Sequence, residues 1–357
     1  MAFRFKKERQ AAEADLTGQR EFSARLVLEL ARRPGNVFVS PFSAWSLLAL
    51  LHPGARGKTR ELLEEVVGVD EDSISGGMER VHELTSTKPE PRKFETLDLQ
   101  GAPESFPESF SAKEKRFQLI VANGLWVQKG YGLKPGYVRE VRERFRAQLK
   151  ELDLAGDPAA ACDTINAWAN RNTHGRIREV LSPDEIDALT RLILANATYF
   201  KDKWVHQFET DDTQLKPFHR LEGGDVEVQM MHQVTHFLYF ESQDLQAVKL
   251  PYLHSGLSMT IVLPRKMRKF EAGLTHESLD QLLTGPSEIE LVFLGLPRYK
   301  YTSELQLVPT LSGLGLGSLF GKSADLSGIS SERVRISTGS SRSPLCRSMR
   351  RAPRLLR

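Results

Sequence analysis

Residues 192–200 read Leu-Ile-Leu-Ala-Asn-Ala-Thr-Tyr-Phe. The run is nearly continuously apolar, which predicts a strand covered on both faces. One polar side chain stands in its middle. The Asn196 amide can take part in about four hydrogen bonds, and leaving them unmade in a core costs a few kcal/mol. Partners must therefore arrive from elsewhere in the chain. Ser40 and Ser43, at the start of a buried-looking helix, are the candidates. Asn196-Ala197-Thr198 also spells a glycosylation sequon, but an acceptor inside a buried strand is inaccessible, so a structural role is expected.

Working outward, Phe22, Leu26, Val27 and Leu30 have helical spacing, ended by Pro34-Gly35. Val37-Phe38-Val39 predicts a short buried strand. Ser40-Pro41 then opens a helix: serine accepts an orphan N–H at the cap, and proline is harmless at the first helical position. Its sequence, PFSAWSLLALL, is apolar almost all round, which marks it as interior. Thr59 is the expected cap of a short amphipathic helix carrying Leu62, Leu63, Val66 and Val67, stopped at Gly68. Residues 86–116 read as a long loop. Strands are expected from Phe117 to Val127 and over 246–250, 258–263 and 288–294, and a helix over 159–172 with Ile165 and Trp168 inward. Helices and strands interleave without βαβ regularity, which favours one large α+β domain.

Composition excludes several classes. The chain has 357 residues, 40% of them hydrophobic and 27% charged, an ordinary globular balance. It contains no run of 18 apolar residues, so neither a transmembrane helix nor a membrane partner is expected. Residues 1–16 carry charges where a secretory leader needs an apolar core. Two cysteines, Cys162 and Cys346, cannot make a disulfide framework or a four-cysteine zinc site. The net charge of +3 is misleading. Residues 333–357 hold eight arginines and no Lys, Asp or Glu, leaving 41 basic and 46 acidic residues in 1–332, a net of −5. The basic balance belongs to the tail and does not mark the body as nucleic-acid binding.

No motif supplies chemistry. Gly313-x-Gly315-x-Gly317 lacks the third glycine of a dinucleotide loop, since position 320 is Phe320, and reads as a helix-to-loop junction. His232 and His236 share a face of a predicted strand with no third ligand at a recognised spacing, so they read as solvated histidines. Neither G-x-S-x-G nor H-E-x-x-H occurs, and the Ser327 beside Asp325 has no marked base. No enzyme activity, catalytic residue, metal or cofactor is expected.

Taken in order, several short stretches resemble the serpin family. Asn36 to Ser43 (NVFVSPFS) is similar to its strand-to-helix motif, and Gly54 to Thr59 (GARGKT) to the turn that follows. Ala122 to Val127 (ANGLWV) looks like a central-sheet strand. Asn166-x-Trp168 with Thr173-x-Gly175-x-Ile177 looks like the end of one of the family's helices. Asn196 to Trp204 (NATYFKDKW) is similar to the family's "NAiyFKGkW". Leu250-Pro251-Tyr252, Ile261 to Pro264, Leu296 to Tyr299 and Ala324 to Ile329 fit later segments. The matches are collinear from about 16 to 330.

The resemblance implies an α+β fold of about eight or nine helices around three β-sheets, incomplete at the C-terminus. It implies serine protease inhibition by insertion of a cleaved loop into the central sheet as an extra strand, the gain being stored as metastability. Ser40, Ser43 and Asn196 match the family's structural "shutter" hydrogen bonds, and Trp204 a position at the upper end of that sheet.

The sequence departs from the family near Ser337. The shutter histidine, the Glu-Gly-Thr-Glu-Ala hinge, the reactive loop and two last strands have no counterpart in 337–357, and Pro344 and Pro353 disfavour ladder formation. About six inward apolar side chains at ~1.5–3 kcal/mol each would be missing, so a weakly stable product is expected. The expected organisation is a flexible 1–15, an incomplete serpin-like domain over 16–336 and a basic disordered tail over 337–357. The expected activity is the family's inhibition, lost in this chain. The alternative is a non-inhibitory binding protein whose arginine-rich tail contacts polyanions. A monomer is expected. Extracellular placement follows from the resemblance, cytoplasmic placement from the leaderless N-terminus, and the residues leave both open.

Overall fold

The structure is a computed structural model describing residues 17–33, 35–86, 117–188, 190–286, 288–299, 307–321 and 323–330. The expected loop over 86–116 lies outside these residues, apart from its first position, and so do the segments 1–15 and 337–357, expected as a flexible N-terminus and a basic tail.

Helix α1 (Thr17–Ala31) turns Phe22, Leu26 and Leu30 inward at helical spacing. Helix α2 (Pro41–Ala49) begins as its sequence predicts. Ser40 is extended, its hydroxyl accepts the Ser43 N–H, and Pro41 fills the first position. Val37-Phe38-Val39, expected as a strand, has no regular structure and Val37 is exposed. Helix α3 (Gly57–Val67) starts two residues before Thr59. Thr59 is not its cap: the Thr59 hydroxyl instead accepts the Asp325 N–H at 2.8 Å, tying the distant 324–330 segment to this turn. Gly68 ends α3 in the left-handed region at φ 65°, and a Cβ there would sit 2.4 Å from the Gly18 backbone, so only glycine fits. Helix α4 (Glu71–Ser86) follows directly.

The first sheet is built from β1 (Gln118–Gln128), β2 (Gln148–Leu152) and β3 (Leu192–Lys201), in the order β2-β1-β3. β1 runs parallel to β2 and antiparallel to β3. Helix α5 (Pro135–Glu143) leads into β2, and α6 (Pro158–Asn172) covers one face of the sheet. The expectation for 192–200 holds over 192–197, which are buried, while Thr198, Tyr199 and Phe200 are half-buried. Leu192 and Leu194 join the core beneath α1, α2 and α3, while Ile193, Ala195 and Ala197 join a second core with Trp126, Ile165 and Trp168 from the far side. Trp126 packs edge-on against Trp168 at 4.9 Å, and Gly124 makes room for it, since a Cβ there would lie 2.2 Å from the Trp126 ring. Cys162 is buried in the same layer, and burial pushes its thiol up to about 12.

The second sheet has five strands: β4 (Gln214–His219), β5 (Asp225–Glu241), β6 (Leu245–Pro251), β7 (Ser258–Pro264) and β8 (Glu288–Pro297). The 17-residue β5 pairs with β4 at its start, β8 along its middle and β6 at its end. Among the described residues these strands form one continuous sheet. Helices α7 (Met267–Gly273) and α8 (His276–Thr284) connect β7 to β8, and α9 (Leu307–Gly313) ends in the glycine-rich junction, with Gly315 at φ 100°. Nine helices are thus present among the described residues. One face of the sheet packs Phe237, Val248, Leu250, Leu294 and Leu296 together. The opposite face leaves Val234, Leu291 and Phe293 open, Phe293 being 80% exposed and directly opposite Val234 in register.

Two measurements follow from this architecture. Phe293→Ser is expected to leave the unfolding midpoint nearly unchanged, because the ring contributes little buried area, and to reduce binding of the hydrophobic dye ANS. Around the buried His52, Glu64 is held below its ordinary 4.5 chiefly by its hydrogen bond to the His52 ring, then by Arg60, and Glu71 chiefly by Arg144. Depressed carboxylates stabilise the fold above their unfolded value and stop doing so as pH falls through the folded one. Stability is therefore expected to decline below about pH 4.5, by under ~1 kcal/mol from these two solvent-screened groups. Urea titrations across the acid range check this. Glu64→Gln should flatten part of the slope.

Candidate functional site

The first turn of α2 meets the underside of the three-stranded sheet through polar side chains. Asn196 stands directly opposite Asn123 across the antiparallel β1–β3 ladder. Both are buried. The Asn196 Nδ2 donates to Asn123 Oδ1 at 2.8 Å and lies 3.5 Å from Ser46 Oγ. The Ser46 hydroxyl reaches Asn123 Oδ1 at 3.2 Å and the Ser43 carbonyl at 3.0 Å. On the other side of the amide, Thr198 Oγ1 donates to Asn196 Oδ1 at 2.8 Å. Ser43 Oγ and Thr198 Oγ1 lie 3.0 Å apart, within hydrogen-bond distance. Ser43 Oγ also lies 2.9 Å from Ser40 Oγ, which accepts the Ser43 N–H at 3.2 Å.

Six side chains thus form one connected set: Ser40, Ser43 and Ser46 from the start of α2, Asn123 from β1, Asn196 and Thr198 from β3. The local reason is periodicity. Residues three apart on a helix share a face, which brings Ser40, Ser43 and Ser46 into line. Alternate residues of a strand share a face, which puts Asn196 and Thr198 on the side of Leu192 and Leu194, towards α2.

The structure brings together Ser40, Ser43 and Asn196, as their shared polarity within apolar surroundings predicts. The route differs from the direct contact expected. Ser43 reaches Asn196 through Thr198, and the amide's immediate partners are Asn123 and Ser46. Sequence reasoning passed over Asn123, Ser46 and Thr198. Asn123 interrupts an alternating strand much as Asn196 interrupts its own, a signal that could have paired the two. Trp204 lies apart from this set. Its ring stacks on Tyr252 at 4.4 Å with 14° between planes, and the two residues form an isolated antiparallel bridge. Phe200 packs against the same Tyr252 at 4.8 Å, and burial pushes the Tyr252 hydroxyl up to about 12.

The chemistry open to the six-residue set is hydrogen bonding alone. It contains no titratable acid or base. His232 and His236 occupy one face of β5, opposite Gly295 and Leu291 in register. Among the described residues no group of three metal-ligating side chains converges.

A hydroxyl and a buried amide answer differently to truncation. Asn196→Ala is expected to cost about 1–3 kcal/mol, since it removes one of the two donors to Asn123 Oδ1 and the acceptor of the Thr198 proton. Ser40→Ala removes the cap and the hydroxyl contact with Ser43 at the edge of the set, and is expected to cost ~1 kcal/mol. Denaturant midpoints of the two variants check the order.

Comparison with known proteins supplies the context for this geometry. A family model described as "Serpin (serine protease inhibitor)" matches residues 17–342. An uncharacterized serpin-like protein of Thermococcus kodakarensis is 37% identical over 311 residues, covering 87% of this chain and 67% of that protein. The leukocyte elastase inhibitor of Bos taurus is 33% identical over 322 residues, covering 87% of this chain and 78% of the relative. Among solved structures, ovalbumin from the emu superposes with a TM-score of 0.76 at 25% identity, covering 90% of this chain and 82% of the other. A cleaved, loop-inserted ovalbumin superposes with a TM-score of 0.74 at 27% identity, covering 89% and 82%. The three-stranded sheet over its buried polar set and the five-stranded sheet beside it are accordingly a serpin scaffold, and the chain belongs to the serpin family of serine protease inhibitors.

Proposed function

We propose that this chain carries the strand-accepting body of a serine protease inhibitor. β3 would be the acceptor, and the Ser40–Ser43–Ser46–Asn123–Asn196–Thr198 set the catch beneath it. One observation carries this reading. Among the described residues β3 pairs only with β1, so ten residues, six of them buried, stand at a sheet edge. Natural edge strands are usually short, charged or interrupted, because a long apolar edge invites another strand. An edge of this kind suits a sheet that receives a strand in the course of its work. A cleaved ovalbumin of the same fold is described as loop-inserted, which is the event envisaged beside β3.

The reading has a second part. The residues of 337–357 suit a cleavable tail better than an insertable loop: Pro344 and Pro353 would break a ladder, and no alanine-rich stretch precedes Arg342. We infer that a trypsin-like protease treats Ser341-Arg342-Ser343 as an ordinary substrate, that this chain does not trap it, and that the chain has no enzyme activity of its own. We further infer a monomer, in which the eight arginines of 333–357 are the charge that a polyanion would meet.

Incubation of the full chain with trypsin separates the two parts. The expected result is cleavage after Arg342, no adduct surviving SDS, and full residual trypsin activity. An SDS-resistant adduct would overturn the inference about 337–357 and leave the acceptor role of β3 standing.

A further inference from the structure

Immediately beyond β3, the chain carries a carboxylate into the protein. Asp202 has a side chain with no solvent exposure, and that of His254 is 6% exposed. The two are 52 residues apart in sequence and belong to different sheets: Asp202 ends the three-stranded sheet, while His254 lies in the β6–β7 turn of the five-stranded one. Every lone-pair direction of the carboxylate is used. Asp202 Oδ1 accepts from the Lys203 N–H at 2.8 Å and from His254 Nδ1 at 2.8 Å. Asp202 Oδ2 accepts from the His254 N–H at 3.2 Å and the Ser255 N–H at 2.9 Å. A carboxylate only accepts, so the His254 proton sits on Nδ1.

The backbone around the pair continues the join. The Leu253 N–H donates to the Lys203 carbonyl at 2.8 Å, and the Val205 N–H to the Pro251 carbonyl at 3.0 Å. The Trp204–Tyr252 stack closes the same seam. Three of the four donors to Asp202 come from the His254–Ser255 turn or its side chain, so removing this one carboxylate strands several buried donors at once. Partly satisfied buried networks are costly, and their members fail together rather than singly.

We propose that Asp202 and His254 form a conformational latch between the two sheets. Residues 202–205 and 251–255 stay joined while the pair is intact and open as one cooperative unit when it breaks, without unfolding of the β1–β3 ladder. This latch is separate from the Asn196 set, and its opening does not depend on strand acceptance by β3.

Hydrogen exchange of the full chain, read by mass spectrometry with peptide resolution, tests it in wild type, Asp202→Asn, His254→Gln and the double variant. In each single variant, amides within 202–205 and 251–255 are expected to exchange on the order of tenfold faster or more, with protection of Leu192–Asn196 unchanged. In the double variant the acceleration is expected to be little greater than in Asp202→Asn alone, because the two side chains act as one. If Asp202→Asn does not fold, His254→Gln carries the test, since it leaves Asp202 with its three backbone donors. Unchanged exchange at the seam, acceleration spread equally into β1 and β3, or fully additive effects in the double variant would each overturn the proposal.

Discussion

A single buried amide pair sets the terms for the molecule's centre. Asn123 and Asn196 face one another across two strands otherwise given over to apolar contact, and neither can be left dry without its partner. Their answer comes from helix α2, which must begin at Ser40, and not a residue earlier or later, for Ser43 and Ser46 to point at the sheet. The capping of that helix and the placement of the strands are therefore one problem with one solution. Proline at position 41 and serine at 40 fix where the helix starts. The hydroxyls then have no freedom to look elsewhere, because Ser43 and Ser46 are buried with the apolar wall around them.

The two sheets are built to different standards. The three-stranded sheet is covered on both sides by separate cores, with tryptophans 126 and 168 on one side and the α1–α3 helices on the other. The five-stranded sheet has one packed face and one partly open face, on which apolar side chains remain in water. Between them lies a seam of aromatic rings and one saturated carboxylate.

Much of this was legible in the chain. The apolar run at 192–200, the Ser40-Pro41 start, the Gly68 stop and the strands over 246–250 and 258–263 all announce themselves through local rules of period and capping. What escaped was decided by partners far away in sequence. Val37–Val39 has strand-like residues, yet takes no regular secondary structure. Thr59 looks like a cap and instead serves the backbone of Asp325. The site divides in the same way: Asn196 stands out as the polar exception in its strand, while Asn123 and Thr198 become meaningful only once the register is known. The Asp202–His254 pair leaves no trace in either local sequence.

The alternation of β3 between two cores makes its alignment all-or-nothing. Side chains of a strand switch faces at every step, so a slip of one place would carry Asn196 into the tryptophan layer and push Ile193, Ala195 and Ala197 towards the serines. Both cores would then hold the wrong chemistry together. The mis-threaded chain has no half-satisfied compromise to rest in, and the amide works less as a rivet than as a proofreader of strand order during folding.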